Sequence, residues 1–245
     1  MPSDICIFKR VEKKYLLDGN TYARFFSQIR DKLIPDSYGK STVCNLYLDT
    51  PNHRIIRASI DAHTYKEKLR LRSYGPPQVG STVFLEIKKK FDGVVYKRRI
   101  AMTLGEAKEY LAFAKKPADT QIMREIDQAM KFYGWPAPRI SLSYEREAFY
   151  SAASPDLRLT FDTGIRYRET EVSLEAGTAG KPLIRSGEHL LEIKTEGAMP
   201  LWLSRALDEN GIFPTSFSKY GTAYLTGLAE TKSSAEKGDF IYEKI

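Results

Sequence analysis

"VFLEIKKKFDGVVYKRRI", residues 83–100, holds two alternating runs on either side of Asp92-Gly93. Asp-Gly between such runs is the strongest short-range signal for a β-hairpin, because the two central residues of its turn need positive φ. A two-residue turn also fixes the register: positions whose numbers sum to 185 face each other. Lys88 then opposes Lys97 and Glu86 opposes Arg99 on one face, while Leu85 opposes Ile100 and Ile87 opposes Arg98 on the other. Like charges directly opposed destabilise a sheet unless something anionic lies over them.

The pattern continues outward from the hairpin. "KLRLRSYG" (68–75) puts Lys68, Arg70 and Arg72 on one face with Leu69 and Leu71 between them. "FKRVEKKY" (8–15) sets Arg10, Glu12 and Lys14 against Val11. "SYEREAF" (143–149) aligns Tyr144, Arg146 and Ala148. "LRLTFD" (157–162) alternates Leu157, Leu159 and Phe161 with Arg158, Thr160 and Asp162. "LLEIKT" (190–195) sets Glu192 and Lys194 against Leu191 and Ile193. Strand-like runs fall at about 6–17, 43–49, 66–74, 82–90, 94–102, 139–149, 157–162 and 189–195. Helical patterns lie between them: 20–34, the run after the capping-box pair Thr103 and Glu106, 119–134, 200–210 and 219–231. No repeat or long linker divides the chain, so residues 1–230 read as one domain and 231–245 as a polar tail.

A sheet with one apolar and one charged face has two explanations. Its charged face meets water while the apolar face packs on helices, or the sheet closes into a barrel with helices outside and the charges inside. Two like charges about 4 Å apart at an effective dielectric near 20 repel by about 4 kcal/mol. A lining of this kind therefore needs water, metal and a polyanion. The fold class expected is α+β: a closed antiparallel β-barrel of about eight strands with a charged lumen and helices on its outside.

Composition fits a soluble globular protein with an acidic partner. The 245 residues are 42% hydrophobic and 28% charged, with a net charge of +7. Two cysteines, Cys6 and Cys44, make neither a disulfide framework nor a zinc site, and the amino-terminal stretch lacks the apolar core of a signal peptide. The expectation is a cytoplasmic protein. Neither G-x-x-x-x-G-K-[ST] nor G-x-G-x-x-G occurs, so phosphate has to be held by side chains, the forked guanidinium of Arg and the point charge of Lys. His53, His63 and His189 have no metal-ligand spacing and read as structural; the hard-cation ligands on the charged faces are Glu12, Glu86, Asp162 and Glu192, with Glu192 the best candidate for Mg2+ or Mn2+. The cationic positions alternate with Leu, Ile and Val rather than with stacking aromatics, which argues against nucleic acid as a partner.

The stretches "RVEKKYLL", "NLYLDTP", "YKEKLRLRSYG", "VFLEIKKK", "VVYKRRI", "SYEREAF", "LTFDT", "LLEIKT" and "SFSKYG" come in the order that resembles the VTC domain, the polyphosphate polymerase domain of the vacuolar transporter chaperone, within the triphosphate tunnel superfamily. The resemblance covers about residues 8–228. It implies transfer of the ATP γ-phosphate onto a growing polyphosphate chain with Mn2+ or Mg2+. By motif position it implies Lys14, Arg70, Arg72 and Lys219 as the catalytic cations. Lys88, Lys97, Arg146, Arg10, Arg99, Arg158 and Lys194 would bind substrate, and Glu192 with Glu12 would bind metal. Hydrolytic tunnel enzymes carry E-x-E-x-K on the first strand; the Arg10-x-Glu12-x-Lys14 of this chain has one carboxylate fewer and leans toward polymerase chemistry. Where eukaryotic members place a second lysine before the last motif, Ser216 stands here. The sequence carries no SPX module or membrane helix, so coupling to a membrane is expected from a separate partner protein. A tripolyphosphatase or nucleoside triphosphatase on the same fold, or a non-catalytic polyphosphate-binding module, are the alternatives.

Overall fold

The computed structural model describes residues 11–61, 64–92, 94–154 and 156–242, with side chains to residue 230. In chain order the elements are β1 (Val11–Leu17), α1 (Gly19–Ile29) with a closing 3-10 turn, β2 (Leu33–Asp49), α2 (Arg54–Asp61), β3 (Tyr65–Tyr74), β4 (Thr82–Phe91), β5 (Val94–Thr103), α3 (Leu104–Phe113), α4 (Gln121–Phe132), β6 (Ala137–Ser151), β7 (Arg158–Arg168), β8 (Lys181–Pro182), β9 (His189–Thr195), α5 (Leu201–Glu209) and α6 (Lys219–Tyr242). Arg10, His63 and Gly93 lie outside the described residues, as does Cys6.

The hairpin register is the one the turn dictates. Phe91 pairs with Val94, so Lys88 faces Lys97, Glu86 faces Arg99 and Ile87 faces Arg98, and Asp92 takes the positive φ of +44° that such a turn demands. Strand β3 then lays Lys68 beside Lys88 and Arg70 beside Glu86. The ladders run β1-β9-β7-β6-β2-β3-β4-β5, with β8 attached to β7, and every pairing is antiparallel.

This sheet is rolled. Strands β1 and β4 stand six positions apart in the ladder, about 29 Å if the sheet were flat, yet Glu12 of β1 lies 3.4 Å from Lys88 of β4. The expected closed ladder is not formed: among the described residues β1 and β5 do not pair, and the seam is bridged by side chains. Across that seam Lys88 is attracted by Glu12 and, to a smaller extent, repelled by Lys14.

Helices cover the outer face in two groups. Leu46, Leu48, Leu69, Leu71, Leu85 and Ile87 meet Tyr110 of α3 and Met123, Ile126 and Met130 of α4. Tyr15, Leu159, Phe161, Leu191 and Ile193 meet Phe25 and Ile29 of α1 and Leu203 and Leu207 of α5. The capping box is realised, with Thr103 Oγ1 accepting from the Glu106 amide at 3.2 Å and Glu106 Oε2 accepting from the Thr103 amide at 2.7 Å. Helix α1 stops at Ile29 rather than 34, because Pro35 biases Ile34 toward extended backbone, where β2 has already begun.

The inner face departs from expectation. It is not charged throughout: Tyr47, Ile140, Leu142, Tyr144 and Leu190 pack there against Ile56 of α2 and Tyr220, Ala223 and Tyr224 of α6. Helix α6 thus enters the rolled sheet and fills one end, leaving the other end lined by charge. Its backbone continues to Tyr242, past the residue 231 at which the sequence pattern ends it. Among the described residues no helix is long and apolar enough to cross a membrane.

Candidate functional site

Rolling brings the charged faces of seven strands (β1, β3, β4, β5, β6, β7 and β9) together around buried carboxylates. Glu86 of β4, its side chain 1% exposed, holds three cations: Arg70 Nε and Nη2 at 2.7 Å, Lys97 Nζ at 2.8 Å and Arg72 Nε at 3.9 Å. Burial raises the proton affinity of Glu86, but Arg70, Arg72 and Lys97 outweigh it and bring its pKa down to about 2. Arg72 also donates from Nε to Asn45 Oδ1 at 3.0 Å, which fixes the plane of its guanidinium. Arg70 donates from Nη1 to the Tyr47 hydroxyl at 3.3 Å.

Opposite stands a second group. Arg146 grips Asp162 through two parallel bonds of 2.6 and 2.7 Å. Lys219, at the start of α6, reaches Asp162 Oδ2 at 2.6 Å and Glu192 Oε1 at 3.3 Å. Glu192 further receives Lys194 at 3.5 Å, Lys14 at 3.7 Å and Arg146 at 3.7 Å. Burial acts against its charge, yet Lys219, Lys194, Lys14 and Arg146 hold its carboxyl well below the usual range. Tyr144 forms a π-wall between the two, with Lys219 Nζ 4.7 Å and the Arg146 guanidinium 5.1 Å from its ring centre.

Eight cations (Lys14, Arg70, Arg72, Lys88, Lys97, Arg146, Lys194 and Lys219) thus share four carboxylates (Glu12, Glu86, Asp162 and Glu192), and a ninth, Lys68, donates to Ser218 beside them. The cationic excess shows in the lysines. Burial, with Lys14, Lys88 and Arg70 nearby, lowers Lys68 to about 8. Burial, with Arg70 and Arg72 nearby, lowers Lys97 to about 8 against the opposing pull of Glu86. Burial and the same repulsion lower Lys88. Burial resists ionisation of Tyr47, but Arg70, Lys68 and Arg72 bring its hydroxyl down to about 8. The protein's own carboxylates do not supply enough counter-charge for this row of cations.

Most of the residues expected from sequence meet here: Lys14, Arg70, Arg72, Lys219, Lys88, Lys97, Arg146, Lys194, Glu192 and Glu12. Two stand at the rim. Arg99 is exposed and lies over the Phe84 ring at 4.8 Å. Arg158 is engaged by Asp36 at 2.8 Å and lies over Tyr150 at 5.3 Å. Arg10 lies outside the described residues. Sequence reasoning set Lys68 on the cationic face with Arg70 and Arg72 but not among the site residues, and gave no role to Asn45, Tyr47 or Ser218, whose Oγ accepts from Lys68 Nζ at 2.9 Å. It named Glu86 and Asp162 only as possible cation ligands, whereas they organise the guanidinium groups. The strand parity of Lys68 was the one available signal for it.

For a divalent metal the donor set is lean. Among the described residues no group of three or more His, Cys, Asp or Glu side chains is placed to hold an ion. Glu12 and Glu192 come closest, both touched by the Lys14 ammonium at 3.5 and 3.7 Å. Burial raises Glu12, but Lys88, Lys194 and Lys14 hold its carboxyl below the ordinary value. Two charged carboxylates fit Mg2+ or Mn2+ when phosphate oxygens complete the shell, as these ions prefer. His189 stacks on Tyr22 at 3.8 Å, in keeping with a structural role.

The family model described as VTC domain matches residues 9–227, and the chain belongs to that family. Solved structures of similar fold include a candidate adenylate cyclase from Bacillus halodurans, at 15% identity and a TM-score of 0.54, covering 85% of this chain and 93% of that one. A candidate adenylyl cyclase from Hippeastrum, described as having a dominant triphosphatase activity, is 15% identical with a TM-score of 0.54, covering 86% and 93%. Comparison with curated protein sequences gives no match.

Proposed function

We propose that the chain is a polyphosphate polymerase that transfers the γ-phosphate of ATP to the end of an inorganic polyphosphate chain. The observation that carries this reading is the enclosed excess of nine cations over four carboxylates on one inner face. A linear polyanion with a charge on every phosphate suits such a row. VTC-domain membership supports it.

Phosphoryl transfer asks little covalent chemistry of a protein; it asks for in-line positioning and for neutralised charge on the moving group. Arg70 and Arg72, fixed by Glu86 and Asn45, offer preset forks to the transferred group, while Lys14 and Lys219 neutralise its oxygens. Lys88, Lys97, Arg146 and Lys194 hold the chain, with Arg99 and Arg158 at the rim. A terminal phosphate is already an anionic nucleophile and needs no dedicated base. Glu192 and Glu12 would hold Mn2+ or Mg2+, which would supply Lewis acidity toward the transferred phosphate. A bound chain would also neutralise Lys14 and Lys88 across the open seam. Residues 1–230 form the functional unit, working in the cytoplasm where ATP is available, with any membrane coupling through a separate partner.

Incubation of the pure protein with ATP and Mn2+, followed by chromatography, is expected to give long-chain polyphosphate and ADP. Release of monomeric phosphate alone would replace this reading with a tripolyphosphatase or nucleoside triphosphatase, which the described activity of the Hippeastrum structure favours as the second reading. Binding without turnover under any metal would leave a polyphosphate-binding module.

A further inference from the structure

The segment "SKYG" (218–221) opens α6, and each residue makes a different tie. Ser218 caps the helix, its Oγ accepting from the Gly221 amide at 3.1 Å and from Lys68 at 2.9 Å. Lys219 enters the carboxylates. Tyr220 turns the other way and donates to Asp49 Oδ2 at 2.8 Å. A Cβ at Gly221 would stand 3.0 Å from Ser218 Oγ and 3.8 Å from Ile60 of α2, so the turn is fitted tightly between the site and α2.

Asp49 is fully buried. It accepts from the Thr50 amide at 2.7 Å and from the Ile55 and Ile56 amides at 2.9 Å, which tie the start of α2 to the end of β2. The Thr50 hydroxyl donates to Asp49 Oδ1 at 3.4 Å, and the Tyr220 hydroxyl is the partner that comes from α6. The Tyr220 ring stacks on Tyr47 with centres 4.4 Å apart, and the Tyr47 hydroxyl accepts from Arg70. A phenylalanine would fill the same apolar space, and the backbone amides alone satisfy Asp49 as a cap. What the Tyr220 hydroxyl adds is an angular lock on the first turn of α6.

We infer that Asp49 and Tyr220 form a positioning pair that sets the reach of Lys219 into the anion site, so that Tyr220 governs ligand affinity through Lys219. This rests on the polyphosphate-site reading above. Tyr220 is a positioning residue, since its hydroxyl points away from the site.

The test is a double-mutant cycle on tripolyphosphate affinity, measured by calorimetry without metal. Tyr220→Phe is expected to weaken binding about tenfold in the unmodified chain and less than about twofold in a Lys219→Ala background, because the lysine it positions is gone. Tyr110→Phe is the matched control: it deletes a buried Tyr–Asp bond, to Asp127 at 3.2 Å, on the outer face. It should lower the melting temperature comparably and leave affinity within about twofold. The inference is overturned if Tyr220→Phe shifts affinity no more than Tyr110→Phe, or if its effect is the same with and without Lys219. Failure of the unmodified protein to bind tripolyphosphate would remove the site reading itself, and this inference with it.

Discussion

Raising the pH from about 7 to about 9 should strip charge from the site without changing a residue. Lys68 and Lys97 both titrate at about 8. Each passes from about nine-tenths charged to about one-tenth across that window, so each contributes up to about tenfold to the loss of affinity, and the two together about a hundredfold. Tripolyphosphate itself gains negative charge over the same range and would bind a site of fixed charge more tightly. Weakening therefore reports groups of the site: loss of charge at Lys68 and Lys97, joined by ionisation of the Tyr47 hydroxyl, which is also held at about 8. Calorimetry of tripolyphosphate binding in buffers of different ionisation enthalpy should also show net proton uptake by the protein near pH 8. Lys68→Met, which keeps length and removes the titration, should weaken binding at pH 7 and reduce the slope to that of the remaining groups.

The empty protein should respond in the opposite direction. The native pKa of Lys68 lies below its ordinary 10.5, so between about 8 and 10.5 the unfolded chain binds more protons than the native one. Stability then rises with pH across that window, by at most about 3 kcal/mol for Lys68 and by less to the extent that solvent screens it. Tyr47, at about 8 against an ordinary 10, acts with the same sign. A denaturant titration of the ligand-free protein between pH 8 and pH 10 checks this. Affinity that is flat or rising from pH 7 to 9, or a Lys68→Met variant with the full slope, would refute the reasoning.

Arg72→Ala should abolish turnover and weaken tripolyphosphate binding by about tenfold or more, since it removes a charge-assisted fork; product formation and calorimetry check the two effects. Glu192→Gln should abolish metal-dependent turnover while retaining metal-free anion binding, because it keeps shape and deletes one negative charge; binding lost in parallel with turnover would contradict the assignment. At a hundred times its dissociation constant tripolyphosphate should add about 2.7 kcal/mol of stability, seen as a melting-temperature rise of several degrees. Sulfate at equal ionic strength should give far less, whereas equal shifts would indicate a solvated cationic surface.

What could be read from the chain was what neighbouring residues decide. Asp92-Gly93 fixed a register in which Lys88 faces Lys97, and the structure has that pairing. The leucine–cation alternation of β3 placed Arg70 and Arg72 correctly on one face, and Thr103 and Glu106 marked the start of α3. Helix α2 was missed because eight residues give little more than two turns of periodicity, and Asp49, which accepts from its Ile55 and Ile56 amides, is the last residue of the expected strand 43–49 and carried no helix signal of its own. The apolar filling of one end by Tyr220 and Tyr224 could not be read either, since α6 and the strands it meets are far apart in sequence. The sharing of Glu86 by Arg70, Arg72 and Lys97 depends on side-chain reach within the rolled sheet. Arg158 had the right parity, but Asp36, from a polar stretch with no alternation, holds it at the rim.

A crystal structure of the protein with tripolyphosphate tests the central claim most directly. The account predicts a linear anion inside the rolled sheet, its oxygens within hydrogen-bonding distance of Arg70, Arg72, Lys88, Lys97, Arg146 and Lys219, with Lys219 turned from Asp162 toward phosphate. An anion bound only at the outer surface, or an inner face whose ion pairs are unchanged at saturating ligand, would contradict it.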